Sequence, residues 1–167
     1  MNDMKIEQIR SVKDYADELS ELLIQVVDDG ASIGFLPPLN LKVANRYWVE
    51  VLTPNAILFV ARVNNKIVGS VQVQLCTKEN GSHRAEIAKL MTLPCNRRKG
   101  IGRSLMMIAE ERAKQVGRSL LVLDTREGDP SNSLYTSMGY IQAGRIPEYA
   151  KSANGDLDAT IIYYKIV

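Results

Sequence analysis

The most constraining stretch of this 167-residue chain is Arg97-Arg98-Lys99-Gly100-Ile101-Gly102. It follows an apolar run, Ile87 to Leu93, and a break at Pro94. It opens an amphipathic run that reaches Val116. Strand, glycine-containing basic loop and helix start, in that order, build an anion site. The N–H groups of a first helical turn have no intrahelical acceptor, and the helix dipole places partial positive charge there. Glycines let the backbone approach an anion closely, and three adjacent cations add charge. The loop reads as a pyrophosphate cradle.

The segments downstream set the topology. The helix from about Arg98 to Val116 is expected to bury Ile101, Leu105, Ile108, Ala109 and Ala113, with Gly117 ending it. Ser119 to Thr125 reads as a strand, and its run Leu120 to Leu123 suits a central position covered on both faces. Strand, helix, strand is a crossover, so the two strands should be parallel neighbours. Asp129-Pro130 reads as a cap and first residue of a short helix to about Met138. Tyr140 to Gly144 and Thr160 to Val167 are the last strands, joined by a long loop with Asn154-Gly155.

Upstream, the pattern predicts an antiparallel meander. Lys5 to Arg10 is a short strand, and Ser11-Val12-Lys13-Asp14 resembles a capped helix start. Apolar residues at Tyr15, Leu19, Leu22, Leu23 and Val26 mark one face of that helix. Asn40 can cap a second helix, Leu41 to Leu52. Strands follow at Ala56–Val63, Lys66–Leu75 and Arg84–Leu93, with turns at Asn64-Asn65 and Asn80-Gly81. The expected class is α/β (α+β), in one domain over residues 1–167. Its order is β-α-α-β-β-β-α-β-α-β-β, mostly antiparallel with one parallel pair beside the anion loop. The segment between the first two helices, Gly30 to Pro38, carries Ile33, Phe35 and Leu36. These either fold back onto the core or wall a substrate pocket.

A net charge of +2 is too small for a nucleic-acid-coating surface. Two cysteines, Cys76 and Cys95, fit no metal or redox spacing, and with His83 as the lone histidine no metal site is expected. No apolar run approaches the ~20 residues of a membrane span, so no membrane partner is expected. A reduced, cytoplasmic setting fits best. If the chain assembles, a homodimer is the commonest outcome.

Arg97-x-x-Gly100-x-Gly102, after an apolar strand and Pro94, resembles the acetyl-CoA signature of the GCN5-related N-acetyltransferases (GNAT family). The element order resembles that fold across nearly the whole chain. Leu134-Tyr135 followed by Met138-Gly139-Tyr140 is similar to a later motif of the family, with Tyr140 in place of the usual phenylalanine. Gly30–Phe35, Arg84–Met91, Leu123–Thr125 and Asp158–Lys165 resemble the tabtoxin-resistance type. Where many relatives carry an asparagine seven residues before the helix tyrosine, this chain has Gly128.

The resemblance implies a central sheet splayed between its fourth and fifth strands, about four flanking helices, and acetyl-CoA as cofactor. Arg97, Arg98, Lys99, Gly100, Ile101, Gly102 and Arg103 would serve the pyrophosphate. The edge of Leu90, Met91 and Thr92 would pair with the pantetheine arm as an added strand does. A backbone N–H near Met91 would face the thioester carbonyl. Glu86 is the first choice for the base and Asp124 the second, with Tyr135 as the acid. Their plainer roles are an ion pair of Glu86 with Arg84 or Lys89, a turn cap at Asp124 and a core aromatic at Tyr135. Ser32, Ile33, Phe35 and Tyr149 are candidates for contacting the acceptor. The leading expectation is acetyl transfer to a small-molecule amine. The alternatives are a peptide or protein acceptor and a non-catalytic acyl-CoA-binding module. A closed pocket walled by Ile33, Phe35 and Tyr149 would favour a small molecule, and an acidic groove a cationic peptide.

Overall fold

A computed structural model describes residues 3–167. Seven strands form one sheet in the order β1-β2-β3-β4-β5-β7-β6. They are β1 Met4–Ile9, β2 Ala56–Val63, β3 Lys66–Leu75, β4 Arg84–Thr92, β5 Leu120–Arg126, β6 Ile141–Lys151 and β7 Leu157–Ile166. The helices are α1 Ala16–Asp28, α2 Leu41–Val51, α3 Ile101–Gln115 and α4 Ser131–Ser137. Every pairing is antiparallel except β4 with β5. This is the mixed, mostly antiparallel α/β architecture expected from the pattern.

Two apolar layers cover the sheet. On one face, Ala85, Ile87, Leu121 and Leu123 pack with Ile101, Leu105, Met106 and Ala109 of α3 and Tyr135 of α4. On the other, Leu58, Val60 and Ile67 pack with Leu19, Leu22, Leu23 and Val26 of α1 and Trp48 of α2. The Asn40 cap forms as read: its Oδ1 accepts from Val43 N at 2.9 Å. Asn64 and Asn65 both take positive φ, 51° and 63°, the backbone that a tight two-residue hairpin requires.

Three expectations are corrected. The capped start at Ser11 does not form. Val12 is buried beside Ile9, the chain turns there (Tyr15 N–H to Val12 O, 2.8 Å), and α1 begins at Ala16 without a side-chain cap. Asp129 does not cap α4, because its carboxylate takes the Arg126 guanidinium instead at 3.0 Å. β6 runs on to Lys151 instead of ending near Gly144, so the expected long loop is mostly a hairpin with β7.

Two irregularities in β4 open the sheet at its centre. The parallel ladder to β5 covers only Arg84 to Glu86, opposite Leu120 to Val122. Beyond Glu86 the strands part. On the β3 side the register slips between Ser70 and Gln72, so β4 carries one extra residue. The extra residue goes with Lys89, at φ 53°. A bulge of this kind inverts which side chains face which layer. Ile87 packs on the α3 side, yet Met91 belongs to the α1–α2 layer.

Candidate active site

The basic loop is built as an open ring of backbone donors. A 3-10 turn at Pro94–Asn96 ends β4's exit, Arg98 then takes φ 63°, and Gly100 takes φ 79° as the residue before α3. Alternation of left-handed and ordinary backbone turns successive N–H groups toward one point. The first intrahelical bond runs from Ser104 N to Gly100 O at 3.0 Å. Among the described residues, the N–H groups from Arg98 to Arg103 meet no acceptor in the chain. Added side-chain carbon at Gly100 would meet nothing within 4 Å, whereas one at Gly102 would meet Leu134 at 3.5 Å and Leu90 at 4.0 Å.

The side chains around this ring differ from expectation. Arg97 does not face the ring. Its guanidinium pairs with Asp29 at 2.5 Å. Asp29 closes the C-terminus of α1, where a negative charge opposes the dipole, and Arg97 offsets it. Lys99 donates to Cys95 O at 3.2 Å and Arg103 to Ser137 Oγ at 2.7 Å, both on exposed ground. Ile101 is buried in the core, so only its backbone is available. The cradle is therefore chiefly main chain, with Arg98, Lys99 and Arg103 as peripheral charge.

Where β4 leaves β5, its outer edge is unpaired. Leu93 N donates to Val68 O at 2.8 Å, which fixes the alternation of the ladder. Two residues back, Met91 opposite Ser70 must also turn its N–H and C=O toward β3. This corrects the expectation for Met91, whose side chain is also buried. The free donors and acceptors on the β5 side belong to Leu90 and Thr92.

The parting of β4 and β5 opens a cavity of about 360 Å3. Glu86, Lys89 and Leu90 line it from β4, Asp124 to Arg126 from β5, Tyr135 from α4, and Ala31 to Gly34 from the α1–α2 loop. Tyr149 and Asp158 to Thr160 close it from β6 and β7. Ser32, Ile33 and Tyr149 thus fall together. Phe35 does not: it packs edge-on against Tyr47, ring centroids 5.2 Å apart, outside the cavity. An apolar residue in a loop cannot show by itself which surface it meets.

Glu86 sits at the last rung before the split and lines the cavity from β4. It forms no ion pair within 4.0 Å with Arg84 or Lys89. Its pKa is raised, first by burial and then by the nearby Asp124, while Lys89 opposes the rise. Asp124 accepts from Thr160 Oγ1 at 2.9 Å. Tyr135 is 6% exposed, its ring set against Tyr140 and Tyr163 at 5.8 and 6.0 Å. Burial, then Asp124 and Tyr163, raise its phenol pKa strongly, so it keeps its proton throughout the working range.

Neither cation of the cavity is among the site residues expected from sequence. Arg126 donates to Asp129, to Ser152 Oγ and to Gly30 O, each at 3.0 Å. It thereby ties the α1–α2 loop and the β6–β7 turn to the end of β5. Lys89 stands on the bulge. Its only sequence signal is a cation in a strand that is otherwise mostly apolar. Four carboxylates, Glu86, Asp124, Asp129 and Asp158, face two cations, Lys89 and Arg126, across the cavity.

Comparison with known proteins agrees with this architecture. A family model described as Acetyltransferase (GNAT) family matches residues 32–140. An uncharacterized N-acetyltransferase encoded in the hisH–hisA intergenic region of Azospirillum brasilense is 33% identical over 132 residues. That match covers 76% of this chain and 78% of that protein. Among solved structures, the GNAT-family acetyltransferase of Streptococcus pneumoniae superposes with TM-score 0.83 at 19% identity, over 99% of this chain and 100% of that one. The yncA protein of Salmonella typhimurium, solved with its cofactor acetyl-CoA, gives 0.81 at 17% identity over 99% and 94%.

The chain belongs to the GNAT family of acetyltransferases. It is an N-acetyltransferase, and such enzymes depend in general on acetyl-CoA. No helix among the described residues is long and apolar enough to cross a membrane.

Proposed function

We propose that this protein transfers the acetyl group of acetyl-CoA to a primary amine of a small molecule, without a covalent enzyme intermediate. The observation that carries the reading is the meeting of Glu86, Asp124 and Tyr135 in one cavity at the β4–β5 split, next to an unsatisfied ring of N–H donors. The residues present fit CoA. The ring at Arg98 to Arg103 suits a pyrophosphate, and the free edge at Leu90 and Thr92 suits the amides of the pantetheine arm. When bound, acetyl-CoA supplies an activated thioester for acyl transfer.

The rest is work for the protein. An alkylammonium with pKa near 10.4 is neutral in only about one molecule in a few thousand at pH 7. Glu86 receives that proton at its carboxylate, directly or through water. Tyr135 holds a proton at Oη and so offers a hydrogen-bond donor wherever negative charge grows on a leaving group. Neither cysteine is needed. The carboxylates of Glu86 and Asp124 suit the ammonium end of the acceptor. Two of the three expected wall residues, Ile33 and Tyr149, line the cavity, which suits a small molecule better than a folded protein surface. The likeness of four segments to the tabtoxin-resistance type supports the same choice. A cytoplasmic setting accords with a reaction that uses this cofactor.

The test is thiol release. Incubated with acetyl-CoA and a panel of amines, amino acids and peptides, the protein is expected to release thiol in step with an acetylated small amine. Release at the rate of spontaneous hydrolysis for every acceptor contradicts the reading, and release with peptides alone moves it to the peptide alternative.

The pH profile adds a further expected result. Burial first, and then the like charge of Asp124, disfavour ionisation of Glu86, so the acidic limb of kcat/KM lies above the ordinary value of a glutamate. In Asp124→Asn that repulsion is gone, Glu86 ionises at lower pH, and the limb moves down in pH. A limb that stays in place or moves up rules out the coupling.

A further inference from the structure

Four of the six charged groups around the cavity are already engaged. Arg126 makes its three bonds, and Asp129 accepts one of them. Asp124 accepts from Thr160, and Asp158 accepts from Ser152. Glu86 and Lys89 are different. Among the described residues, neither has a hydrogen-bond partner for its charged group or an ion-pair partner within 4.0 Å. They are three positions apart on β4, which in a regular strand would send them to opposite faces. The bulge at Lys89, φ 53°, brings both to the same cavity.

The position of the ammonium is defined. A carbon added at Gly34 would stand 3.1 Å from Lys89 Nζ, and Gly34 itself has φ 93°. The amine therefore lies under the α1–α2 loop, on the acceptor wall, in the field of Glu86 and Asp124 but bonded to neither. Left-handed backbone at a non-glycine residue carries an energetic cost. The fold accepts that cost at a residue whose donors are unused by the chain.

We propose that Lys89 is a specificity-determining residue that binds a carboxylate of the acceptor, so that the acceptor is an amino acid, with its amine toward Glu86 and its carboxylate on Lys89. This rests on the reading of the cavity as the acceptor site. Two unpaired opposite charges facing one space match a zwitterion. A diamine or polyamine would set a second cation against Lys89. A peptide N-terminus would leave the ammonium unmatched, because its first residue has no free carboxylate. A site whose buried polar group is left unpaired by an analogue rejects that analogue strongly.

The experiment compares kcat/KM for free amino acids with that for their carboxamides, in wild type and in Lys89→Met, Lys89→Arg and Lys89→Glu. Wild type is expected to prefer the acid by about 10- to 100-fold, the size of one charge-assisted bond. Lys89→Met brings the ratio near one, Lys89→Arg keeps most of it, and Lys89→Glu turns preference toward diamines. Unchanged acetyl-CoA affinity in each variant shows that the fold and cofactor site are intact. A wild type that ignores the carboxylate, or a Lys89→Met variant that slows acids and carboxamides equally, overturns the proposal while leaving amine acetylation standing. No turnover with any amine overturns the underlying reading as well.

Discussion

Glu86→Gln is expected to lower kcat/KM about 1,000-fold at pH 7, within the range that a positioned general base contributes. Glutamine keeps the shape and hydrogen-bonding reach of the side chain but takes up no proton. The amine must then lose its proton to solvent before it reacts. The loss should shrink as pH rises toward the pKa of the amine, because the neutral fraction then grows without help from the protein. Acetyl-CoA affinity should be unchanged, since Glu86 lies at the split of β4 from β5 and not on the donor ring of Arg98 to Arg103. Steady-state kinetics across pH with calorimetry of acetyl-CoA binding check all three parts. Full activity at pH 7 would remove Glu86 as the base and leave Asp124, on the facing strand, as the candidate.

The second large effect is expected at Tyr135. Tyr135→Phe removes one buried hydroxyl and leaves the ring on Tyr140 and Tyr163. Packing is nearly preserved, so stability should change little. Turnover should fall about 100-fold, the order of magnitude for losing one donor to developing charge. KM for acetyl-CoA should stay close to wild type. A raised phenol pKa is consistent with this role in one specific sense: the group is protonated at every working pH and always available as a donor. The activity lost in Tyr135→Phe should therefore not depend on pH, in contrast to Glu86→Gln. Wild-type turnover in the variant would assign Tyr135 to the core alone.

The sequence pattern carried much of the architecture because most of it is local. A hairpin at two asparagines, a helix stop at Gly117 and an apolar run after it each declare themselves within ten residues. The donor ring was legible for the same reason, since a helix start and its glycines are neighbours in sequence. Long-range pairings were not legible. Arg97 looked like part of an anion site, but its partner Asp29 lies 68 positions earlier. Phe35 looked like a pocket wall until Tyr47 met it. Lys89 was hidden because a bulge depends on the register of two strands, which no single segment encodes. Arg126 stands at the end of a strand with no local signal, and of its three contacts that hold the cavity together, those to Ser152 and Gly30 are set by the tertiary fold. The failed cap at Ser11 has the opposite cause: a good local signal lost to the burial of Val12.

Acetyl-CoA is proposed to lie along the open edge of β4 with its pyrophosphate on the N-terminus of α3. Amide hydrogen exchange with and without acetyl-CoA tests this at the atoms concerned. Unbonded N–H groups in a first helical turn exchange readily, and a bound anion or paired arm slows them. The expected result is new protection at Arg98 to Arg103 and at Leu90 and Thr92, with none added at Met91, whose N–H the ladder register turns toward β3. The contradicting result is unchanged exchange at those amides, with protection instead around the groove of about 570 Å3 lined by Glu18, Leu22 and Lys66.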